Sequence, residues 1–308
     1  MLNNITLRSE TLLFRSENLC ISCLTCLADV LETCQASFDK GNLFYDLFSS
    51  LCCLISVPTS DSLDVAPVCE ELKLETVRCI STLCRAASLD LLLQFYGPEN
   101  LPLLGHAVTV LLGLARQESM RRLRVAAIHC LVVLTRADCK VTASLMGDIF
   151  AAFLPGMVSS LAVVITGDPK QGHLVTCSAV AAWWKIVVLV LGDANLDAAA
   201  TATSSVVLSS TNAHENLMVR RTNDWVKSVA EKLKPWTEKV AKVSDDTNWR
   251  VRLAMVELAE NLLLNCTKLV FCHNLLILVQ LAYFLAMLSF FDCDCKVGSE
   301  IVYILLLF

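Results

Sequence analysis

The chain has 308 residues, 55% of them hydrophobic and 18% charged, a balance too apolar for a disordered protein. A formal charge of −5 without any basic run argues against a nucleic-acid surface. Only ten glycines and seven prolines interrupt long helical windows, and no series of alternating segments reads as strands, so the fold class is all-α.

The first predicted helix is Thr11–Cys34, with Leu12, Leu19, Cys23, Cys26, Leu27 and Leu31 on one side. Lys40, Gly41 and Asn42 break it, and Leu43–Val57 forms a second helix that Pro58 stops, completing an antiparallel pair. After a polar loop, Thr59–Pro67, a longer helix covers Cys69–Gln94 and contains Arg78. Gly97-Pro98 opens the next unit, since proline is tolerated in a first helical turn. Helices Leu101–Arg116 and Met120–Arg136 follow, joined by the short turn Gln117-Glu118-Ser119. Ser144–Thr166 is helical with an interruption at Pro155-Gly156, and Gly167-Asp168-Pro169 ends it.

Lys170–Leu191 carries Trp183 and Trp184 in an apolar run. Lys185 interrupts that run, leaving too short a stretch for a membrane span, so it reads as a buried helix. Residues 192–212, rich in Ala, Ser and Thr, read as a loose loop. Helix resumes over Glu215–Lys242, with Trp225, Val229, Leu233 and Trp236 on one face and Pro235 placed to kink it.

An acidic turn, Asp245-Asp246, then precedes a helix from Trp249 whose stripe is Val251, Leu253, Val256, Leu258, Leu262 and Leu263. The two aspartates are placed to meet unpaired N–H groups at the helix start. Arg252 is expected to be structural, bonding Asp245, Asp246 or a neighbouring carbonyl. The same basic-then-apolar order occurs at Arg78, before Ile80, Leu83 and Cys84, and at Arg124, before Ala127, Leu131 and Leu134. Arg78 and Arg124 are 46 residues apart, and Arg252 lies 128 further on, or three steps of ~43. HEAT and armadillo units have periods of about 40–47 residues. The pattern predicts a HEAT/armadillo-like α-solenoid of antiparallel helix pairs over residues 1–268, with Arg78, Arg124, Trp249 and Arg252 as structural repeat positions. An ordinary helical bundle with arginines on its long helices is the competing reading.

Chemistry-bearing motifs are weak. The N-terminus lacks the pattern of a secretory signal, so the sixteen cysteines are expected to be reduced and to act as small apolar core residues. Cys20, Cys23 and Cys26 have the spacing of three corners of an iron–sulfur cluster, but no fourth cysteine or wrapping Gly and Pro follow, and the three fall on a helical stripe. Thr166–His173, TGDPKQGH, departs from a phosphate loop and has no strand before it. It reads as a surface turn, with Asp168, Lys170 and His173 as candidate partner contacts. His106, His129, His173, His214 and His273 are scattered, without nucleophile or zinc spacing. No catalytic, cofactor-binding or metal-ligand set emerges, so the chain is read as a non-enzyme without a cofactor.

One resemblance spans most of the chain. Glu70–Leu74, Ser81-Thr82-Leu83, Phe95-Tyr96-Gly97-Pro98, Leu101-Pro102 and Leu111–Ala115 resemble, in order and spacing, the N-terminal part of the largest subunit of the Triple T (TTT) co-chaperone complex. The likeness continues through Phe153–Gly156, Ile165–His173, Asp224–Lys227, Lys232-Leu233 and Trp249–Leu264, covering about Ser16–Lys268. It implies a HEAT-repeat scaffold that binds the two other TTT subunits and helps the ninety-kilodalton heat-shock chaperone mature phosphatidylinositol-3-kinase-related kinases, mTOR among them. It also implies no catalytic residues and no cofactor. A cytoplasmic and nuclear location goes with that role, and the family's greater length makes this sequence look like a fragment.

Past the resemblance, residues 269–308 form a divergent hydrophobic tail that reads as an alternative or incorrectly predicted end in place of the next repeat. Cys266, Cys272, His273, Cys293 and Cys295 form no convincing metal set there, given the one-residue spacing of the last pair. The alternative function is a membrane-associated helical protein anchored through Leu275–Phe291 and Ile301–Phe308. Membrane association is the weaker expectation.

Overall fold

The computed structural model describes residues 17–34, 40–58, 63–65, 68–139, 142–197 and 219–268. Expectations for 1–16, for 198–212 of the loose loop, for 215–218 and for the tail 269–308 lie outside the described residues. The chain divides into two compact units after Leu134. As expected, it is built of α-helices.

In the first unit, α1 (Glu17–Cys34), α2 (Gly41–Leu54) and α3 (Glu70–Ala86) are followed by α4 (Leu89–Phe95), a 3-10 turn (Pro98–Asn100), α5 (Leu101–Gln117) and α6 (Arg121–Thr135). Two differences from the predicted elements concern α2 and α3. The second helix stops at Leu54, and Ser56–Pro58 pairs antiparallel with Leu63–Val65 inside the expected loop, in register Ser56 with Val65. The segment Cys69–Gln94 is not one helix: Ala87 is extended, and the Ser88 side chain accepts from Leu91 N to start α4. A hydroxyl that satisfies a first-turn amide favours a new helix start even without Gly or Pro to mark the break.

The buried side of α1 is Cys20, Leu24, Ala28 and Leu31, while Leu19, Cys23 and Cys26 are exposed. This corrects the expected stripe. Both sets follow helical spacing because apolar residues cover well over half of the helix's circumference, so the sequence period does not choose between them. Packing does, and α1 lies along α3.

Contacts between these helices have a recurring register. Thr25 Oγ1 meets Glu75 Oε2 at 3.4 Å, Cys79 Sγ donates to Leu24 O at 3.0 Å, and Arg78 pairs with Asp29 and Glu32 at 3.0 and 3.1 Å. Low numbers on α1 thus meet low numbers on α3, and the two run parallel. The Glu17 carboxylate, at the head of α1, accepts from Cys69 N at the head of α3 at 3.3 Å. One step on, Glu70 accepts from Ser119 N and Met120 N at 3.0 and 2.7 Å, just before α6. In each case the acidic first turn of one helix satisfies orphan amides at the head of a later one, 49–52 residues on. Lys73, almost fully buried, adds an ion pair to Glu118 at 2.8 Å across the same junction. Beneath this edge Phe95 sits edge-on to Phe44 and Phe48, with centroids 4.9 and 4.8 Å apart, each such pair adding about 0.5–1.5 kcal/mol beyond its buried area.

In the second unit, α7 (Ala143–Phe150) and α8 (Leu154–Ile165) meet at 87°. The break falls at residues 151–153, not at Pro155-Gly156 as expected. Pro155 lies in the first turn of α8, where its missing N–H costs nothing. A 3-10 turn (Pro169–Gln171) leads into α9 (His173–Leu191), and residues 193–197, inside the expected loose loop, continue as helix. The helical stretch His173–Asp197 is long and apolar enough to cross a membrane by length and composition. Its Trp183, Ile186, Val187, Val190 and Leu191 are nevertheless buried within the unit, where α9 packs on α7, α8 and α11. Helix α10 (Asn223–Ala241) runs through Pro235, and a 3-10 turn (Lys242–Asp245) leads to α11 (Trp249–Asn265).

Parallel register recurs here between α9 and α11. His173 at the head of α9 meets Arg250 at the head of α11, and Asp193 beyond α9 meets Thr267 beyond α11. These partners are 74–77 residues apart, and the excess over the first unit's step is about the length of 198–218. The Asp193 carboxylate accepts from Thr267 N at 2.6 Å, Thr267 Oγ1 at 2.7 Å and Lys268 N at 3.2 Å, repeating the acidic staple of the first unit.

One buried charge fastens this unit. The Arg221 side chain is fully buried, with Nε 2.6 Å from Asp148 Oδ1. Its guanidinium also donates to Val190 O at 3.0 Å and Ser144 O at 2.8 Å, joining α7, the end of α9 and the approach to α10. Gly147 leaves the space: a Cβ there would lie 2.7 Å from Leu189 O and against the guanidinium.

Candidate functional site

The turn from Thr166 to His173 holds its shape by its own side chains. Asp168 Oδ1 accepts from Lys170 N at 2.8 Å, and Gln171 Nε2 donates to Val164 O at 2.7 Å and Thr176 Oγ1 at 3.1 Å. Gly172 has φ 92°, a conformation that side-chain-bearing residues rarely adopt, which fixes glycine immediately before α9. The Asp168 carboxylate is therefore engaged within the turn, while Lys170 is exposed beside it.

The head of α11 is built in a similar way. Asn248 Oδ1 accepts from Arg250 N at 3.0 Å, and Asp246 Oδ1 accepts from Asn248 N at 2.7 Å. Asn248, not Asp245 or Asp246, is thus the helix cap, which corrects the sequence reading. The guanidinium of Arg252 donates to the carbonyls of Asp246 and Thr247 at 3.0 and 3.1 Å. Leu253, read as part of the buried stripe, is 37% exposed; Ala254 and Met255 are buried instead.

These two turns come together at one edge. Arg250 Nη1 lies 3.2 Å from His173 Nε2, and its guanidinium sits 5.3 Å from the centre of the Trp249 ring. Arginine has only donors, so the imidazole accepts through Nε2 and is neutral when this bond is made. Burial, then the carboxylates of Asp246 and Glu257, hold the Cys177 thiol above its ordinary value, with Arg250 pulling the other way. Cys177 therefore stays protonated, a poor nucleophile. Leu174 is 63% and Trp249 59% exposed, which leaves a tryptophan, a stacked arginine and leucines on the surface. Tryptophan and arginine are the residue types that dominate binding energy at protein interfaces.

Of the sequence candidates, His173 and Trp249 are brought together through Arg250, with Asp168 and Lys170 in the adjoining turn and Arg252 behind it. Arg78 and Arg124 belong to the first unit. Arg78 bridges α1 and α3, and Arg124 Nε donates to Ala115 O at 2.8 Å across the α5–α6 turn. Arg250 and Leu174 were missed, since nothing local joins residues 77 positions apart. Arg221 was missed for the same reason, its partner Asp148 being 73 positions away.

Chemical alternatives find no support among the described residues. No group of three His, Cys, Asp or Glu side chains is placed to hold a metal, and Cys20 faces inward while Cys23 and Cys26 face outward. Ser56 Oγ lies 3.0 Å from His106 Nε2, but this hydroxyl donates to Cys52 O at 2.8 Å. The imidazole, whose pKa is lowered by burial, must donate its own N–H here, so the serine is not activated.

Parallel helix pairs α1–α3 and α9–α11, stapled by acidic side chains, with an exposed Trp–Arg–Leu edge, define a helical-repeat scaffold. The family model described as the TTI1 N-terminal TPR domain matches residues 4–284, and the chain belongs to that family. It is 38% identical over 265 residues to the TELO2-interacting protein 1 homologs of mouse and human, an alignment covering 82% of this chain. It spans 24% of the length of those relatives. No solved structure matches. Although the family is described as TPR, interhelix contacts in the first unit join residues 45–55 apart, well beyond the ~34-residue TPR period and nearer that of HEAT units. The family match also takes in residues 269–284, past Lys268 where the sequence resemblance stops.

Proposed function

We propose that the chain is the N-terminal repeat portion of a co-chaperone scaffold and that it binds TELO2. In this reading it works with a second companion subunit and the ninety-kilodalton heat-shock chaperone in maturing phosphatidylinositol-3-kinase-related kinases, including mTOR, in the cytoplasm and nucleus. It carries out no reaction of its own and takes no cofactor. The repeat domain is taken as residues 1–268, with the family match running on to residue 284.

The observation that carries this reading is 38% identity across 265 residues with relatives whose name states that they interact with TELO2. The exposed Leu174 and Trp249 beside Arg250 supply a surface of the right composition. Titration of purified TELO2 into the 308-residue chain tests it. Binding is expected, and Trp249→Ala should weaken it by about tenfold or more while leaving the melting temperature in place. No binding by a chain that melts cooperatively would overturn the proposal.

A further inference from the structure

A second surface shares no residue with the His173–Arg250 edge and does not rest on the proposed TELO2 interaction. The 87° bend between α7 and α8 stands Ala151, Ala152 and Pro155 opposite one face of α10, opening a groove of about 190 Å³. Val219, Trp225, Val229, Leu233 and Trp236 form its apolar lining, and Lys232 completes it. Small-molecule sites usually enclose roughly 300–1,000 Å³. This groove is an anchor point for side chains, not a metabolite pocket.

Charge selects the occupant. Residues 151–165, the opposing wall, contain no ionisable side chain, so Lys232 is the ionic group of the lining. Lys232 is exposed and makes no ion pair among the described residues, and Lys239 lies 5.7 Å from the centre of the Trp236 ring on the same helix. A lysine beside half-buried tryptophans favours a carboxylate over it and disfavours a second cation. A bilayer surface fits less well. The apolar face of α10, Val226, Val229, Ala230, Leu233 and Val240, is buried against its own unit and cannot enter lipid.

We infer that the groove between residues 151–155 and α10 docks an amphipathic segment of a partner protein, its apolar side chains between Trp225 and Trp236 and its carboxylates on Lys232. Docking of an amphipathic helix into a groove between helices is the recognition mode this geometry suits.

The test pans phage-displayed peptides on the immobilised 308-residue chain, with counter-selection on Lys232→Glu and Trp225→Ala. Both side chains are at least partly exposed, so the variants should melt with the parent, and Lys232→Glu carries the test if Trp225→Ala does not fold. Enriched peptides should combine apolar residues at helical spacing with Asp or Glu. Synthesised and titrated by fluorescence anisotropy, they should bind the Lys232→Glu chain about tenfold or more weakly, and Gln in place of their acidic residues should do the same to the parent. Basic or uncharged winners, absence of any enriched sequence, or affinities unmoved by Lys232→Glu would overturn the inference. Equal Lys232-dependent binding to vesicles of phosphatidylserine and phosphatidylcholine would overturn it in favour of a membrane surface.

Discussion

Replacing Arg221 by alanine removes the one cation among α7, α9 and α10 that is fully buried, and the consequences can be worked from its partners. The Asp148 carboxylate loses a 2.6 Å ion pair, and the carbonyls of Val190 and Ser144 lose their donors. Breaking a buried pair from one side costs ~3–5 kcal/mol. Asp148 is 31% exposed and partly regains water, which puts the loss near the lower end, about 3 kcal/mol. For a unit of this size that lowers the melting temperature by roughly 6–12 °C. Arg221→Lys keeps the charge but cannot serve several acceptors at once, so it should fall between, losing about 1–2 kcal/mol. All five tryptophans lie after Leu134, so their emission follows this unit selectively during thermal or urea unfolding. Lys268→Ala, which removes an exposed pair with Asp197, is the control and should cost ~0–1 kcal/mol. An Arg221→Ala protein melting within about 2 °C of its parent would refute the argument.

The acidic staples give further expectations. Glu70→Ala should lower the stability of the first unit by about 1–2 kcal/mol, read by circular dichroism, because two amides before α6 lose their acceptor. Asp193→Ala should cost the second unit a similar ~1–2 kcal/mol by tryptophan emission, through the amides of Thr267 and Lys268. Lys73→Ala strands Glu118, which is nearly buried, and should cost ~3 kcal/mol in a urea titration. Thiol chemistry should divide by burial: exposed Cys23 and Cys26 react with a thiol reagent in the folded chain, whereas Cys52, Cys79, Cys130 and Cys266 react only on unfolding. Burial pushes the Cys79 thiol up to about 11 from 9.0, so its contribution is whole below pH 9 and lost as pH climbs through 11. Stability that rose over that alkaline range would contradict this assignment.

Helix identity was legible because the apolar stripes behind Arg78, Arg124 and Arg252 keep helical spacing and are buried almost as read: Ile80, Leu83, Cys84, Ala127, Leu131, Leu134, Val256 and Leu262. Faces were legible only where one side is polar. On α10, lysines and glutamates leave a single apolar face, and Trp225, Val229, Leu233 and Trp236 do line one groove. On α1 two apolar stripes compete, and only packing against α3 decides. Breaks marked by side-chain capping, as at Ser88, carry a weaker signal than Gly or Pro, and Pro155 misled because a proline that starts a helix looks like one that interrupts it. The candidate edge was half legible. A turn rich in Gly, Asp and Lys announces itself, but its meeting with Arg250 depends on the parallel register of α9 and α11, which spans more than seventy residues of intervening chain.

Hydrogen–deuterium exchange of the 308-residue chain, alone and with the companion proposed above as its partner, tests the central claim most directly. If the parallel heads of α9 and α11 form the binding edge, amides in 173–177 and 249–253 should gain protection together, and Trp249→Ala should abolish both gains. Protection confined to one of these segments, or found only elsewhere in the chain, would contradict it.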